Sequence, residues 1–205
     1  ADEGLTTVER ARVLGLGEFE DLHPNVVALE ERLANSEGQG YIGLGELVRR
    51  SLRMNPSRVI VGEVLGDEIV TMLNAMSQGN DGSLSTIHAN SSLEVFNRIC
   101  TYAIQSVERL PTEATMMLIA GAIDFVVFIE RRNDFASGGD LRRRVTSIRE
   151  VNGVDGRVLS SEIFASGPDH IARPAAQTRR MDGLQAAVHR TRFLEAQGRC
   201  TLDCR

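Results

Sequence analysis

The chain of 205 residues contains no lysine, and all 23 of its basic residues are arginine. A P-loop of the form GxxxxGK[ST] needs a lysine to reach the β- and γ-phosphates of a nucleotide. No GxxxxGR sequence ahead of an apolar helix takes its place. The usual phosphate-binding loop of nucleotide hydrolases is therefore not found in this sequence.

Tryptophan is also absent, and aromatic residues make up only 4% of the chain. Aromatic platforms on which nucleic-acid bases stack are therefore not expected. The net charge of −5 gives no electrostatic reason to expect binding to nucleic acid. The composition thus predicts a globular protein without a nucleic-acid partner.

Long apolar runs and a disulfide framework are missing too. The longest apolar stretch, residues 116–129, is interrupted by Asp124 and falls short of the ~18 residues that a membrane-spanning helix needs. The acidic first residues do not resemble a secretory signal peptide. Cys100, Cys200 and Cys204 form an odd set without framework spacing, which indicates a reducing compartment. We expect no direct membrane span.

A strand, a helix and a second strand are predicted between residues 59 and 88. The apolar strand 59–62 leads into Glu63, and the strand 83–87 leads into His88. The segment between them has an apolar helical face, formed by Ile69, Met72, Leu73 and Met76. Strands joined by a crossover helix run parallel, so Glu63 and His88 are expected at the carboxyl edge of the sheet, where open α/β sheets bind ligands. An acid beside an imidazole there favours a polyphosphate site.

Two longer motifs surround these residues. They read RMNPSRVIVGEV (53–64) and GNDGSLSTIHANS (79–91). With them the chain resembles, over roughly residues 6–164, the catalytic domain of the ATPases of type II and type IV secretion systems, in the branch that serves tight-adherence pili. The resemblance makes the first motif a Walker B strand and the second a histidine box. It implies an α/β fold: a partial RecA-like P-loop NTPase domain with a mainly parallel sheet, flanking helices and an antiparallel hairpin extension.

The same resemblance implies an activity and its partners. Members of this family hydrolyse ATP with Mg²⁺ in a homo-hexameric ring and so drive secretion or pilus assembly. The expected partners are inner-membrane platform proteins, and the expected location is cytoplasmic, at the inner face of the cytoplasmic membrane. Because the lysine of the P-loop is missing, the 205-residue chain alone is expected to bind ATP very weakly and not to hydrolyse it.

Roles for individual side chains follow from the resemblance. Glu63 would act on Mg²⁺ through water, or on the attacking water itself, and is the expected metal residue. His88 would sense the γ-phosphate. Glu9 follows a predicted strand at residues 5–8 and matches the first acid of the family's aspartate box, although Arg10 and Val13 do not match the rest. Glu9 would orient or deprotonate the water, or be an exposed acid near the terminus.

Four further residues are expected at the nucleotide. They are Arg49 and Arg58, which would meet phosphate or an acidic neighbour in the ring, and the glycines Gly62 and Gly82 of the two motifs. The alternative for the arginines is a solvated basic face on a helix predicted over residues 44–54. The family usually has an arginine where this chain has Leu65, which leaves full activity open.

The remaining segments predict a second strand at 26–29 and two more helices. A capping box of Ser91 and Glu94 opens a helix to residue 105 that buries Leu93, Phe96, Cys100 and Ala103. A helix over 112–122 then leads into a strand at 125–130 and a loop at 133–140. A hairpin of strands 142–151 and 157–164, turning at Asp155-Gly156, is expected to extend the sheet.

We predict one domain at residues 1–165, a RecA-like ATPase domain truncated at its N-terminus before the Walker B region. Residues 166–205 are predicted to be a linker and an arginine-rich tail, with a helix at 181–197. A second interpretation stays open, a non-catalytic RecA-like interaction subunit of a secretion complex. A third, a metal-dependent hydrolase using His88 with His23 or Glu63, lacks a known metal-site spacing.

Overall fold

The computed structural model describes residues 3–134 and 140–185. Its first sheet has four parallel strands in the order β2-β1-β3-β4. The strands are β1 (Leu5–Glu9), β2 (Val26–Glu30), β3 (Arg58–Val64) and β4 (Leu84–Ile87). Helix α1 (Leu44–Leu52) connects β2 to β3, and helix α2 (Glu68–Met76) connects β3 to β4. The predicted strand–helix–strand unit is thus present with its parallel pairing.

The core of this half forms where the two central strands meet the crossover helices. Val8, Val59 and Val61 are buried in β1 and β3, and Ile69 and Leu73 are buried on the predicted face of α2. A strand that is buried on both faces carries a nearly continuous apolar run. Each fully buried aliphatic side chain contributes roughly 1.5–3 kcal/mol to folding. This packing fixes where the strands end, and hence where their terminal side chains lie.

Helices α3 (Glu94–Gln105) and α4 (Thr112–Ala122) follow β4 and pack against each other and against α2. The amide of Glu94 donates to the Ser91 hydroxyl at 3.1 Å, as the capping box predicted. The expectation that Leu93 is buried is wrong, because Leu93 precedes the first helical residue and its side chain is exposed. The buried face of α3 instead includes Ile99.

A second sheet is antiparallel, in the order β5-β6-β7-β8. Its strands are β5 (Phe125–Asp134), β6 (Asp140–Val154), β7 (Val158–Ser166) and β8 (Ala172–Pro174). The α/β fold class is confirmed, with a parallel and an antiparallel part. The predicted hairpin forms, but it pairs with β5 in a sheet of its own and does not add to the parallel sheet. The expected loop at 133–140 is shorter, because strand pairing continues to residues 134 and 140.

A polar network ties the second sheet to the first half of the chain. The hydroxyls of Ser92 and Ser147 lie 2.8 Å apart, and both residues are buried. Ser147 donates to a carboxylate oxygen of Glu162 at 2.5 Å, and Arg149 donates to the Ser92 hydroxyl at 3.3 Å. Buried polar groups that satisfy one another fix the relative position of the elements that carry them. The segment just after β4 is therefore anchored on β6 and β7.

Residues after 166 do not behave as a linker throughout. β8 pairs with β7, and the carboxylate of the buried Glu150 binds the segment that follows. It accepts hydrogen bonds from the Thr178 hydroxyl, the Arg179 amide and the Arg180 guanidinium. We call residues 175–180 the strap. The division into domains at residue 165 stays a prediction.

Two expectations reach beyond the described residues. Helical backbone is described for residues 181–185, and the rest of the predicted helix to residue 197 lies outside the described residues, as do Cys200 and Cys204.

Cys100 is a buried core residue, and burial raises the pKa of its thiol. Within residues 3–134 and 140–185, none of the helices has the length and apolar character needed to cross a bilayer.

Candidate nucleotide site at the carboxyl edge

The ends of the four parallel strands form one edge of the first sheet. Glu9 ends β1, Glu63 lies one residue before the end of β3, and His88 directly follows β4. Nε2 of His88 lies 2.6 Å from Oε1 of Glu63. The structure therefore brings together the acid and the imidazole that the strand pattern placed at one edge.

A β-bulge in β3 sets the direction of the Glu63 side chain. Val61 pairs with Ser85 and Val64 pairs with Ile87, so Gly62 and Glu63 together oppose the single residue Thr86. The Thr86 hydroxyl donates to the Gly62 carbonyl at this irregular point. A bulge shifts the alternation of side chains and re-aims one of them. Here Val64 stays buried while Glu63 turns toward His88.

The Glu63–His88 pair is open to solvent. The His88 side chain is 83% exposed and that of Glu63 is 36% exposed. A solvent-exposed contact between polar side chains contributes little to stability, because water competes for both partners. The pair is therefore poorly explained as a stabilising contact and is accessible to a ligand.

Glu9 is placed differently, because it is buried. Its Oε2 accepts hydrogen bonds from the amides of Val13 at 2.8 Å and Leu14 at 3.0 Å, which holds the loop after β1 in place. Gly62 lies beside it, and a Cβ at position 62 would be only 3.0 Å from Cγ of Glu9. In the structure, Glu9 holds the loop after β1, and the close approach of Glu9 explains why position 62 is a glycine. Their expected roles at the nucleotide stay predictions.

Arg58 and Gly82 do not join this site. Arg58 begins β3 and Gly82 precedes β4, so both lie at the amino edge of the parallel sheet. Five residue-to-residue steps along the strand lead from Arg58 to Glu63, a distance of about 16 Å at ~3.3 Å per step. Arg58 instead forms an ion pair with Glu3 at 3.1 Å and covers Gly82, where a Cβ would lie 3.1 Å from the guanidinium carbon. Arg58 and Gly82 are close to Glu63 and His88 in the sequence but not at the same edge of the sheet, because a strand has two ends; their expected role at a nucleotide stays a prediction.

Arg49 lies on the exposed face of α1, in its last turn. Its Nε is 3.4 Å from a carboxylate oxygen of Glu46, which also pairs with Arg50 at 2.7 Å. The hydrogen bond from Arg50 is the main reason why the pKa of Glu46 is lowered. These contacts fit the alternative of a solvated basic helix face.

One cation at the carboxyl edge was overlooked. Arg10 directly follows β1, and its guanidinium lies 3.6 Å from a carboxylate oxygen of Glu31 and 4.0 Å from one of Glu68. Both acids are nearly buried, and Glu68 also accepts a hydrogen bond from the Leu65 amide at 2.7 Å. The signal was available in the sequence, because a charged residue directly after a predicted parallel strand must lie at the carboxyl edge.

The fold and the site define a class of protein. A parallel sheet with crossover helices, joined to an antiparallel sheet, is the fold of ATPases with a RecA-like domain. The crystal structure of the VirB11 ATPase from the Brucella suis type IV secretion system, in complex with sulphate, superimposes with a TM-score of 0.58 at 27% sequence identity. The match covers 72% of this chain and 41% of that chain.

Residues 17–187 match the family model described as Type II/IV secretion system protein, and the chain belongs to this family. A putative conjugal transfer protein of Mycobacterium tuberculosis is 36% identical over 163 residues, which are 80% of this chain and 43% of that protein. The type IV secretion system protein PtlH of Bordetella pertussis is 32% identical over 148 residues, 71% of this chain and 41% of PtlH. The chain thus spans less than half the length of these curated relatives.

Proposed function

We propose that this chain is part of a motor ATPase that uses ATP to drive a type IV or type II secretion system or the assembly of a pilus. Membership in the secretion ATPase family supports a motor role. The 2.6 Å contact between His88 and Glu63 at the carboxyl edge is the observation that supports a role for these two residues in particular. An exposed acid–imidazole pair at that place suits the polyphosphate end of a nucleotide.

Glu63 is the residue proposed to hold Mg²⁺. Among residues 3–134 and 140–185, no group of three or more His, Cys, Asp and Glu side chains could hold a metal ion by itself. This donor set fits Mg²⁺, which keeps several waters and is usually bound through one or two carboxylates and the phosphates of the substrate. A bound magnesium ion would neutralise phosphate charge during phosphoryl transfer. Glu63 would hold it through water.

The other side chains are proposed to position the phosphates and the loops around them. His88 would donate a hydrogen bond from its exposed imidazole to the γ-phosphate. Arg10, held between Glu31 and Glu68, would supply a positive charge at the same edge. Glu9 would act mainly by holding the loop after β1, because its Oε2 already accepts two amide hydrogen bonds. Positioning and electrostatics are the main sources of catalysis in phosphoryl transfer.

The 205-residue chain is proposed to be inactive by itself. It contains no lysine and therefore no Walker A lysine. Each charge-assisted hydrogen bond to a phosphate is worth ~1.5–3 kcal/mol, so the loss of several weakens ATP binding by orders of magnitude. The carboxylates at the carboxyl edge repel a triphosphate unless Mg²⁺ intervenes. In the assembled motor the subunits would form a homo-hexamer at the inner face of the cytoplasmic membrane, against inner-membrane platform proteins.

A second candidate function is a non-catalytic subunit of such a ring. The observation that favours it is Leu65, a partly exposed aliphatic residue directly after β3, where the family usually has an arginine. The exposed Glu63–His88 pair argues against it, because a subunit without catalysis has no evident use for that pair.

The experiment is calorimetry of magnesium-ATP binding to the 205-residue chain and to a form extended upstream to include a P-loop. Binding only to the extended form, reduced by Glu63→Gln and by His88→Ala, supports the motor proposal. The matched control is Glu113→Gln, an exposed acid in α4. If the extended form carries a P-loop and still does not bind, the non-catalytic subunit is favoured. Hydrolysis by the 205-residue chain that is insensitive to Glu63→Gln contradicts the site.

A further inference from the structure

Glu68 is a buried acid at the first position of α2, and it lies outside the two motifs that contain Glu63 and His88. Its Oε1 accepts a hydrogen bond from the Leu65 amide at 2.7 Å. A negative charge near the N-terminus of a helix is favourable, but an exposed acid provides this benefit without losing its hydration. Asp67, one residue earlier, is such an exposed acid. The burial of Glu68 therefore requires a further reason.

The hydrogen bond to Glu68 restrains the chain where the pairing of β3 weakens. The ladder between β1 and β3 ends at Val61, three residues before the end of β3. On the other side of β3, the ladder to β4 is interrupted by the bulge opposite Thr86. Glu63 lies in this weakly paired stretch. Leu65 directly follows the stretch and is itself partly exposed, so the contact of its amide with Glu68 restrains it more than packing does.

A cation from the neighbouring strand approaches the same carboxylate oxygen. Arg10 directly follows β1, and its guanidinium lies 4.0 Å from Oε1 of Glu68 and 3.6 Å from a carboxylate oxygen of Glu31. Glu31 directly follows β2, so these contacts join the ends of three neighbouring strands. Both distances are longer than a hydrogen bond, and the Arg10 side chain is partly exposed, so water weakens its attraction to Glu68. The Leu65 amide is therefore a stronger partner of Glu68 than Arg10 is.

We infer that Glu68 is a positioning residue for Glu63. By accepting the Leu65 amide it fixes the turn after β3, and this turn directs the Glu63 carboxylate toward His88. Glu68 itself is nearly sealed from solvent and its Oε1 is already bound, so it does not touch a ligand. The use of the positioned Glu63 for Mg²⁺ and ATP rests on the proposed function.

Two variants separate the hydrogen bond of Glu68 from its charge. Glu68→Gln keeps the length of the side chain and an oxygen that can accept the Leu65 amide, but it removes the charge. Glu68→Asp keeps the charge but is shorter by one carbon–carbon bond of about 1.5 Å, so its carboxylate withdraws from the amide. The matched control is Asp67→Ala, because Asp67 is exposed in the same turn and its side chain makes no capping hydrogen bond within the described residues. Thermal unfolding checks that every variant is folded.

The test is proton NMR of the 205-residue chain at one fixed pH, without nucleotide. The imidazole signal of His88 is the one that disappears in His88→Ala. Glu63→Gln removes the carboxylate that lies 2.6 Å from this imidazole and so shifts the signal. We expect Glu68→Asp to shift it in the same direction by roughly half as much or more, and Glu68→Gln and Asp67→Ala to leave it nearly unchanged. In the Glu63→Gln background, Glu68→Asp should cause no further shift.

A purely structural role of Glu68 at the start of α2 would lower the unfolding temperature without this coupling to Glu63. An unchanged His88 signal in Glu68→Asp, an equal shift in Asp67→Ala, or a full shift in Glu68→Gln overturns the inference, whatever the chain does with ATP. A Glu68→Asp shift that persists in the Glu63→Gln background overturns it too, because Glu68 then acts on His88 by another route.

Calorimetry of magnesium-ATP binding to the form with a P-loop connects the position of Glu63 to function. We expect Glu68→Asp and Glu63→Gln each to weaken binding at least about threefold, and the double variant to bind no more weakly than Glu63→Gln. If Glu63→Gln weakens binding and Glu68→Asp does not, the inference is overturned. If the NMR coupling is present but neither variant affects binding, Glu68 still positions Glu63, and the proposed function is contradicted instead.

Discussion

Replacing Glu150 by glutamine should release the strap and destabilise the second sheet. Glu150 is buried and keeps its carboxylate charged through contacts to the strap. The Arg179 amide donates to Oε2 at 3.0 Å, the Thr178 hydroxyl donates to Oε1 at 3.0 Å, and Arg180 adds a longer contact at 3.4 Å. Glutamine has nearly the same shape as glutamate but carries no charge. Its amide NH₂ group would replace one carboxylate oxygen, and it cannot accept the hydrogen bond that this oxygen accepts in Glu150.

The expected loss of unfolding free energy is about 2–4 kcal/mol. Glutamine removes one or two charge-assisted hydrogen bonds, each worth ~1.5–3 kcal/mol. Arg180 limits the loss, because it also forms an ion pair with Asp124 at 2.7 Å and stays partnered. The matched control is Asp169→Asn, whose partner Arg173 lies 2.9 Å away in an exposed pair. Water screens an exposed pair, so this substitution should have only a small effect.

The assay is urea unfolding followed by circular dichroism at pH 7 and at lower pH. With a denaturant slope of ~2 kcal/mol per molar, the midpoint should fall by about 1–2 M for Glu150→Gln and by less than ~0.5 M for the control. Burial alone would raise the pKa of Glu150, but hydrogen bonds from Arg179, Thr178 and Arg180 outweigh it and leave the pKa lowered.

A lowered pKa in the folded chain means that the charged form of Glu150 stabilises the fold above its unfolded pKa of about 4.3. That contribution is lost as the pH falls through the folded pKa, so the difference between wild type and Glu150→Gln should shrink below about pH 4. Equal midpoints for Glu150→Gln and Asp169→Asn at pH 7 would refute the idea that the buried carboxylate anchors the strap.

Two further predictions concern the carboxyl edge. Gly62→Ala should cost about 1–3 kcal/mol in thermal unfolding, because its Cβ would lie 3.0 Å from Cγ of Glu9, whereas Gly17→Ala, with nothing within 4 Å, should be nearly neutral. An equal effect of both contradicts the close approach. The hydrogen bond to Glu31 raises the pKa of Tyr41, so Glu31→Ala should move the tyrosine titration seen by ultraviolet absorbance to lower pH; an unchanged titration shows that the bond is absent.

The sequence was most informative where strands are short, apolar and joined by one crossover helix. Such a unit leaves one topology, so the approach of Glu63 to His88 could be predicted before any coordinates. The capping box likewise predicted the start of α3 from Ser91 and Glu94. These inferences succeed because they depend on local sequence patterns and on the general rule that strands joined by a crossover helix are parallel.

The sequence was less informative where a residue's position depends on distant parts of the chain. Arg58 and Gly82 belong to the same motifs as Glu63 and His88. They lie at the amino edge of the sheet and not at its carboxyl edge, because each motif runs along a whole strand. The pairing of the hairpin with β5 depends on residues far apart in the sequence, and no local pattern decides which edge accepts a strand. The contact between Glu150 and the strap is of the same kind, because about 30 residues separate the partners.

The acids of this chain divide by what binds their oxygens, and the division bears on function. Glu9, Glu68 and Glu150 are buried and accept backbone amide hydrogen bonds, so their charge is used to hold loops and the strap. Glu63 stands apart because it is partly exposed and pairs with the exposed imidazole of His88. The sequence placed Glu9 and Glu63 alike at strand ends, and only their hydrogen-bond partners separate the loop-holding acid from the one that is available to a ligand. That distinction is the reason to test Glu63 and His88 first.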